Sequence, residues 1–148
     1  MRAAAAEGLA RAKDPQDLSI VNKAYDGEAK TKAKLGDAFA LVSLGRRESS
    51  DNAPLYYLVS QLDSKGYKDV AQAYLIELAR DGEVRKALYP YLQQGSSTKD
   101  QKMGLARVLA ASGDKDSVSY LDTLSRDSDS EVAQEGLRCL RILHSRGI

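Results

Sequence analysis

The sequence predicts an all-α fold, an α-α superhelix (a solenoid) of about four and a half stacked helical hairpins. Three observations predict it. Apolar residues recur at helical spacing through nearly all 148 residues, and no segment sustains the apolar–polar alternation of a strand. Pro is scarce at 3 and Trp is absent, while Ala and Leu dominate, a composition that favours helix. The pattern also copies itself every 31 residues or so, as arrays of helical hairpins do.

The repeat is clearest in the last long pattern, Val132 to Leu143. Apolar or small residues fall there at offsets 0, 4, 5, 8 and 11. The same offsets recur from Gln101 (Leu105, Ala106, Leu109, Ser112) and from Val70 (Tyr74, Leu75, Leu78). They recur again from Ala33 (Asp37, Ala38, Leu41, Leu44) and from Met1 (Ala5, Ala6, Leu9, Ala12). The starts at 1, 33, 70, 101 and 132 are spaced by 32, 37, 31 and 31 residues.

Nine helices follow, over 2–12, 15–26, 31–44, 53–63, 67–80, 83–93, 98–112, 115–126 and 130–145. The first is Ala-rich. The second is opened by Asp14, whose carboxylate suits the first free amides, and by Pro15 near a position that needs no N–H. Gly45 is expected to end the third in a left-handed cap, and Gly113 to end the seventh likewise. The loop Arg46 to Asn52 accounts for the longer spacing of 37. The turn Gly95-Ser96-Ser97-Thr98 leads into the seventh helix with Ser97 or Thr98 as its cap. Asp114 opens the eighth as Asp14 opens the second, with Val118 and Leu121 matching Leu18 and Val21.

Composition excludes several function classes. Lys plus Arg is 22 and Asp plus Glu is 21, a net charge of +1 that gives no general attraction to nucleic acid or anionic membrane. One Cys excludes an internal disulfide framework, and with one His it excludes most Cys/His zinc sites. No stretch has the length of a membrane span or of a signal peptide's apolar region, so the cytoplasm is the default expectation. No phosphate loop, dinucleotide fingerprint or nucleophile elbow occurs.

Paired helices, the period near 31 and the turn Asp127-Ser128-Asp129-Ser130-Glu131-Val132, followed by Gly136-Leu137 and Leu140, resemble the HEAT-like repeats of the phycobilisome-lyase type. The segment from Met1 through Leu9 to Asp14-Pro15 carries the same resemblance. It covers nearly the whole chain and is weakest over 46–95. It implies a single HEAT-like repeat domain over 1–148 whose second helices line a concave surface. The chain opens inside a second helix that has no first partner. A fragment, or the C-terminal end of a longer array, is therefore expected, with end-to-end self-association through that helix. The role implied is a non-catalytic scaffold that binds another protein or peptide, without a cofactor. The alternatives are a chromophore lyase or isomerase-like subunit and a weak DNA-binding module. Absence of Trp and dispersal of acids among the bases disfavour nucleic acid.

On a helical wheel, offsets 2, 6 and 10 point away from the core offsets. They give a candidate protein-binding surface of Leu35, Phe39, Ile76, Met103, Arg107 and Arg138, apolar in its middle with Arg toward the C-terminal end. Such a surface suits a peptide or a partner helix. The competing reading packs Phe39 and Ile76 against adjacent repeats. Asp37 is the local misfit, a carboxylate at a core offset, expected to be paired with a Lys or rotated outward. The tyrosines Tyr56, Tyr57, Tyr67, Tyr74, Tyr89 and Tyr91 lie in apolar stripes and are expected to pack. Asp127-x-Asp129-x-Glu131 has Val132 and Arg138 where a calcium loop needs Gly and Glu, so a solvated turn with acidic charges at the helix N-terminus is expected. Cys139, with His144 five residues on, is expected to be a packed residue and not a nucleophile. Residues 23–47 carry a net +3 and residues 114–135 a net −5, expected to form solvated faces.

Overall fold

A computed structural model of the chain describes residues 3–48, 50, 53–93 and 97–148. The expected repeat start at Met1, the loop positions Ser49, Asp51 and Asn52, and the turn residues Gly95 and Ser96 lie outside the described residues. The described chain is all-helical, with no strand among the described residues. Its α-helices are α1 (Ala3–Ala12), α2 (Leu18–Gly27), α3 (Thr31–Ser43), α4 (Pro54–Ser60), α5 (Lys68–Leu78), α6 (Gly82–Gln93), α7 (Lys99–Ser112), α8 (Ser117–Leu124) and α9 (Ser130–Ser145). These match the nine expected segments within a few residues. The largest departures are a 3-10 turn at Pro15–Asp17 ahead of α2 and another at Gln61–Asp63 after α4.

The contacts divide the chain into two compact units, Met1–Gln61 and Leu62–Ile148. In the first unit α3 is central, and α1, α2 and α4 all pack on it. From Leu35 to Val42 every residue of α3 is buried. α1 lies close because it is Ala-rich: a Cβ placed on Gly36 would sit 2.7 Å from the Ala3 Cα. Asp14 accepts the Gln16 amide at 3.0 Å, and Pro15 occupies the first position of the following turn, as expected. Gly45 ends α3 with φ of 119°, a conformation that costs other residues about 1–2 kcal/mol.

In the second unit α7 lies between α5 and α9, with α6 and α8 packed against it and α8 also against α9. Thr98 caps α7 through a reciprocal pair with Gln101. Asp129 caps α9 by accepting the amides of Glu131 at 2.9 Å and Val132 at 3.3 Å. Asp127 accepts from the Asp129 amide at 2.9 Å and from Lys102 at 3.4 Å, so the acidic turn is a capping structure. Gly113 departs from expectation. Its φ is −73°, not left-handed, and the residue is small because a Cβ there would lie 2.6 Å from the Ser117 Oγ. Gly136 serves close packing likewise: a Cβ would lie 2.8 Å from the Ser125 amide nitrogen.

Several joints recur at repeat spacing. Asp81 accepts the Glu83 amide and Asp114 the Asp116 amide, both at 2.9 Å, repeating the Asp14 device ahead of α6 and α8. The carbonyls of Ala10, Ala79 and Ala110, all at offset 9, each accept from a later side chain: Ser43 at 2.9 Å, Arg85 at 2.7 Å and Arg146 at 3.0 Å. Helix C-termini leave such carbonyls unpaired unless something outside the helix reaches them. An acid stands in the first turn of α5, α7 and α9 at Asp69, Asp100 and Glu131, where it complements the helix dipole.

The tyrosines pack. Tyr74, Tyr89 and Tyr91 are buried. Tyr89 stacks on Tyr120 at 3.9 Å and shares a hydrogen bond of 2.9 Å with Ser117. In the first unit Tyr25 meets Tyr57 edge to face at 6.1 Å, and the Lys34 ammonium sits over both rings.

Candidate functional site

The six expected surface residues separate into two groups. Leu35 and Phe39 lie within the core of the first unit, at 0% and 2% exposure. Arg11 sits over the Phe39 ring at 5.6 Å. This corrects the wheel-based expectation for both residues. α3 is covered by three neighbouring helices, so its offsets 2 and 6 are enclosed as fully as its core offsets.

In the second unit the same offsets remain partly open to solvent. Ile76 on α5, with Met103 and Arg107 on α7, is half-buried, and Arg138 on α9 is exposed. Ile76, Arg107 and Arg138 hold one position, 31 residues apart, on α5, α7 and α9. Around them along the same side stand Asp69 and Ala73 on α5, Arg80 just past its end, and Asp100 and Ala111 on α7, all exposed.

Arg107 and Arg138 converge on Glu135. Arg107 Nε donates to Glu135 Oε1 at 3.0 Å, Arg138 Nε reaches both carboxylate oxygens at 3.2 Å, and Arg138 Nη2 also donates to Oε1. The Glu135 side chain is only 12% exposed. Arg138 first, then Arg107, holds its carboxyl down to about 2 against the opposition of burial. Sequence reasoning did not single out Glu135. The signal was its i,i+3 spacing to Arg138, a standard intrahelical ion-pair distance.

The acidic stretch 114–135 is not simply a solvated face, because its charges join neighbouring helices. Asp114 pairs with Arg85 at 2.8 Å, Asp127 with Lys102 at 3.4 Å, Glu131 with Lys99 at 2.8 Å and Glu135 with Arg107 at 3.0 Å. Each pair links positions 25 to 32 residues apart in the chain, so the sign asymmetry of the sequence is part of how the helices meet.

Cys139 lies behind this cluster. It is buried, its Sγ is 3.5 Å from Glu135 Oε1, and burial pushes its thiol up to about 12. A protonated, enclosed thiol is a poor nucleophile. His144 is exposed and meets the Ile148 carbonyl oxygen at 2.7 Å, away from Cys139.

Asp37 is buried at 0% exposure, so its helical register is as read. Among the described residues neither carboxylate oxygen has a hydrogen-bond partner, which corrects the expectation of a lysine pair or an outward rotation. Burial pushes the carboxyl up to about 6, opposed by the positive charge of the chain's N-terminus and helped by the negative charge of Glu28.

A cavity of about 470 Å³ in the first unit is lined by Ala3, Ala4, Glu7, Lys30, Lys32 and Ala33. It offers no nucleophile–base pair among these residues. No group of three metal-ligating side chains occurs among the described residues, and no described helix is long and apolar enough to cross a membrane. Compared with known proteins, the chain matches no family model, no curated protein and no solved structure.

Proposed function

We propose that this chain is a non-catalytic scaffold of stacked HEAT-like hairpins that binds another protein or peptide on the open side of α5, α7 and α9. The observation that supports this reading is the repeated position Ile76, Arg107 and Arg138, with Met103 beside it. Three parallel copies of one helix position make a ladder that a peptide can cross, meeting an apolar group and then charged ones. The apolar anchors are Ile76 and Met103, and the arginines supply directional donors. Leu35 and Phe39 have no part in it, because they are core residues of the first unit.

The test is a peptide selected on the purified chain from a random display library and mapped by amide chemical-shift changes. Changes concentrated on α5, α7 and α9, together with loss of binding in Met103→Asp, are expected. Changes confined to the first unit, or to α6 and α8, would contradict the assignment.

A further inference from the structure

The following inference rests on the reading above and narrows the partner. Arg107 and Arg138 come from adjacent helices and share the carboxylate of Glu135. Their bonds to it run through Arg107 Nε and through Nε and Nη2 of Arg138. Both Nη groups of Arg107 and Nη1 of Arg138 have no partner among the described residues. The Arg side chains are 36% and 55% exposed, so these donors face solvent. Two guanidiniums on one carboxylate leave a net positive charge. The largely buried Glu135 restrains both side chains before any ligand arrives, which lowers the entropy lost on binding. Met103 lies one turn before Arg107, and Ile142 one turn after Arg138, both half-buried.

We propose that Arg107 and Arg138 form a fork for a carboxylate side chain of a partner peptide, whose neighbouring apolar residues rest on Met103 and Ile142. Guanidinium N–H pairs match the two oxygens of a carboxylate in a planar, bidentate geometry. A phosphate polymer matches the fork less well. The exposed first-turn acids Asp69 and Asp100 stand on α5 and α7 and repel a chain that carries a charge at every step.

The test uses the whole chain and peptides taken from the display library. Selected peptides carry Asp or Glu next to an apolar residue, and changing that acid to its amide weakens binding by about tenfold or more. Added salt weakens the acidic peptide more than its amide form. The variant Arg107→Gln/Glu135→Gln/Arg138→Gln removes the carboxylate together with its partners and abolishes the preference for the acid. Should it fail to fold, Arg138→Lys, at the more exposed arm, keeps the charge, loses the fork and weakens the acidic peptide alone. Peptides that lack acids, or that ignore these substitutions, overturn the fork while leaving the proposed face intact if their shift changes still map to α5, α7 and α9. Shift changes elsewhere, or no selected peptide at all, overturn both. Tighter binding of a fluorescent DNA duplex than of any peptide, dependent on the same arginines, overturns the carboxylate assignment.

Discussion

Replacing Asp37 by Asn removes a buried ionisation from the centre of the first unit. The side chain is 0% exposed, neither oxygen is hydrogen-bonded among the described residues, and burial lifts its pKa from 3.8 to about 6. Each unit of displacement is worth about 1.4 kcal/mol, so ionised Asp37 lowers the stability of the folded state by about 3 kcal/mol. The folded-state pKa lies above the unfolded one. The contribution of neutral Asp37 is therefore fully present below pH 3.8, declines as pH rises toward 6, and is gone above it. Asn does not titrate. The stability of Asp37→Asn relative to the native chain should start near zero at the acid end, or slightly below it because the amide also lacks partners. It should then climb by about 3 kcal/mol toward neutral pH and level off. Hydrogen exchange of the α3 amides across the pH range reads the stability of this unit directly. Carbon NMR of the Asp37 carboxyl reads its titration. A difference that stays flat with pH, with the carboxyl titrating near 4, would refute the claim that this carboxylate is buried without a partner.

Four further outcomes are expected. Gly136→Ala puts a methyl 2.8 Å from the backbone of Ser125 and should cost about 1–3 kcal/mol, seen as a lower melting temperature, because backbone cannot swing aside. Glu135, held at about 2 by Arg138 and Arg107, contributes stability above its ordinary 4.5 and loses it as pH falls toward 2. With Arg138 more than half exposed, solvent screening limits the gain of the native chain over Glu135→Gln to about 1–2 kcal/mol at neutral pH, measured by urea unfolding at pH 7 and pH 3. Cys139 should resist a disulfide reagent such as dithiobis-nitrobenzoate in the folded chain and react promptly in urea; equal rates in both would show the thiol to be accessible. Arg85→Ala removes donors to the carbonyls of Ala79, Arg80 and Ser112 and the pair with Asp114, and should cost about 1–3 kcal/mol in a melting experiment.

The helices were readable because their signals are local. Asp14 and Asp114 cap as written, Thr98 pairs with Gln101, and Asp129 opens α9. Asp81 makes the same bond as Asp14, yet the change from Pro15 to Gly82 after it hid the match. Gly113 misled because a glycine after a helix signals either a left-handed turn or a close contact, and only the position of Ser117 decides between them. The candidate face divided for a related reason. Phe39 and Arg107 share one offset of the repeat, but Phe39 is enclosed and Arg107 reaches solvent. A wheel gives the direction of a side chain and not how many helices surround it. Leu137 is the opposite failure, a core offset that is 41% exposed.

By itself, the sequence determined which nine segments are helical, to within a few residues at each end, since capping, propensity and apolar spacing act over a few residues. The tertiary structure decided which faces are covered, that Glu135 gathers Arg107 and Arg138, and that Asp37 has no hydrogen-bond partner among the described residues. Burial and ion pairing depend on groups about thirty residues away in the chain, and their distances are set only when the helices pack.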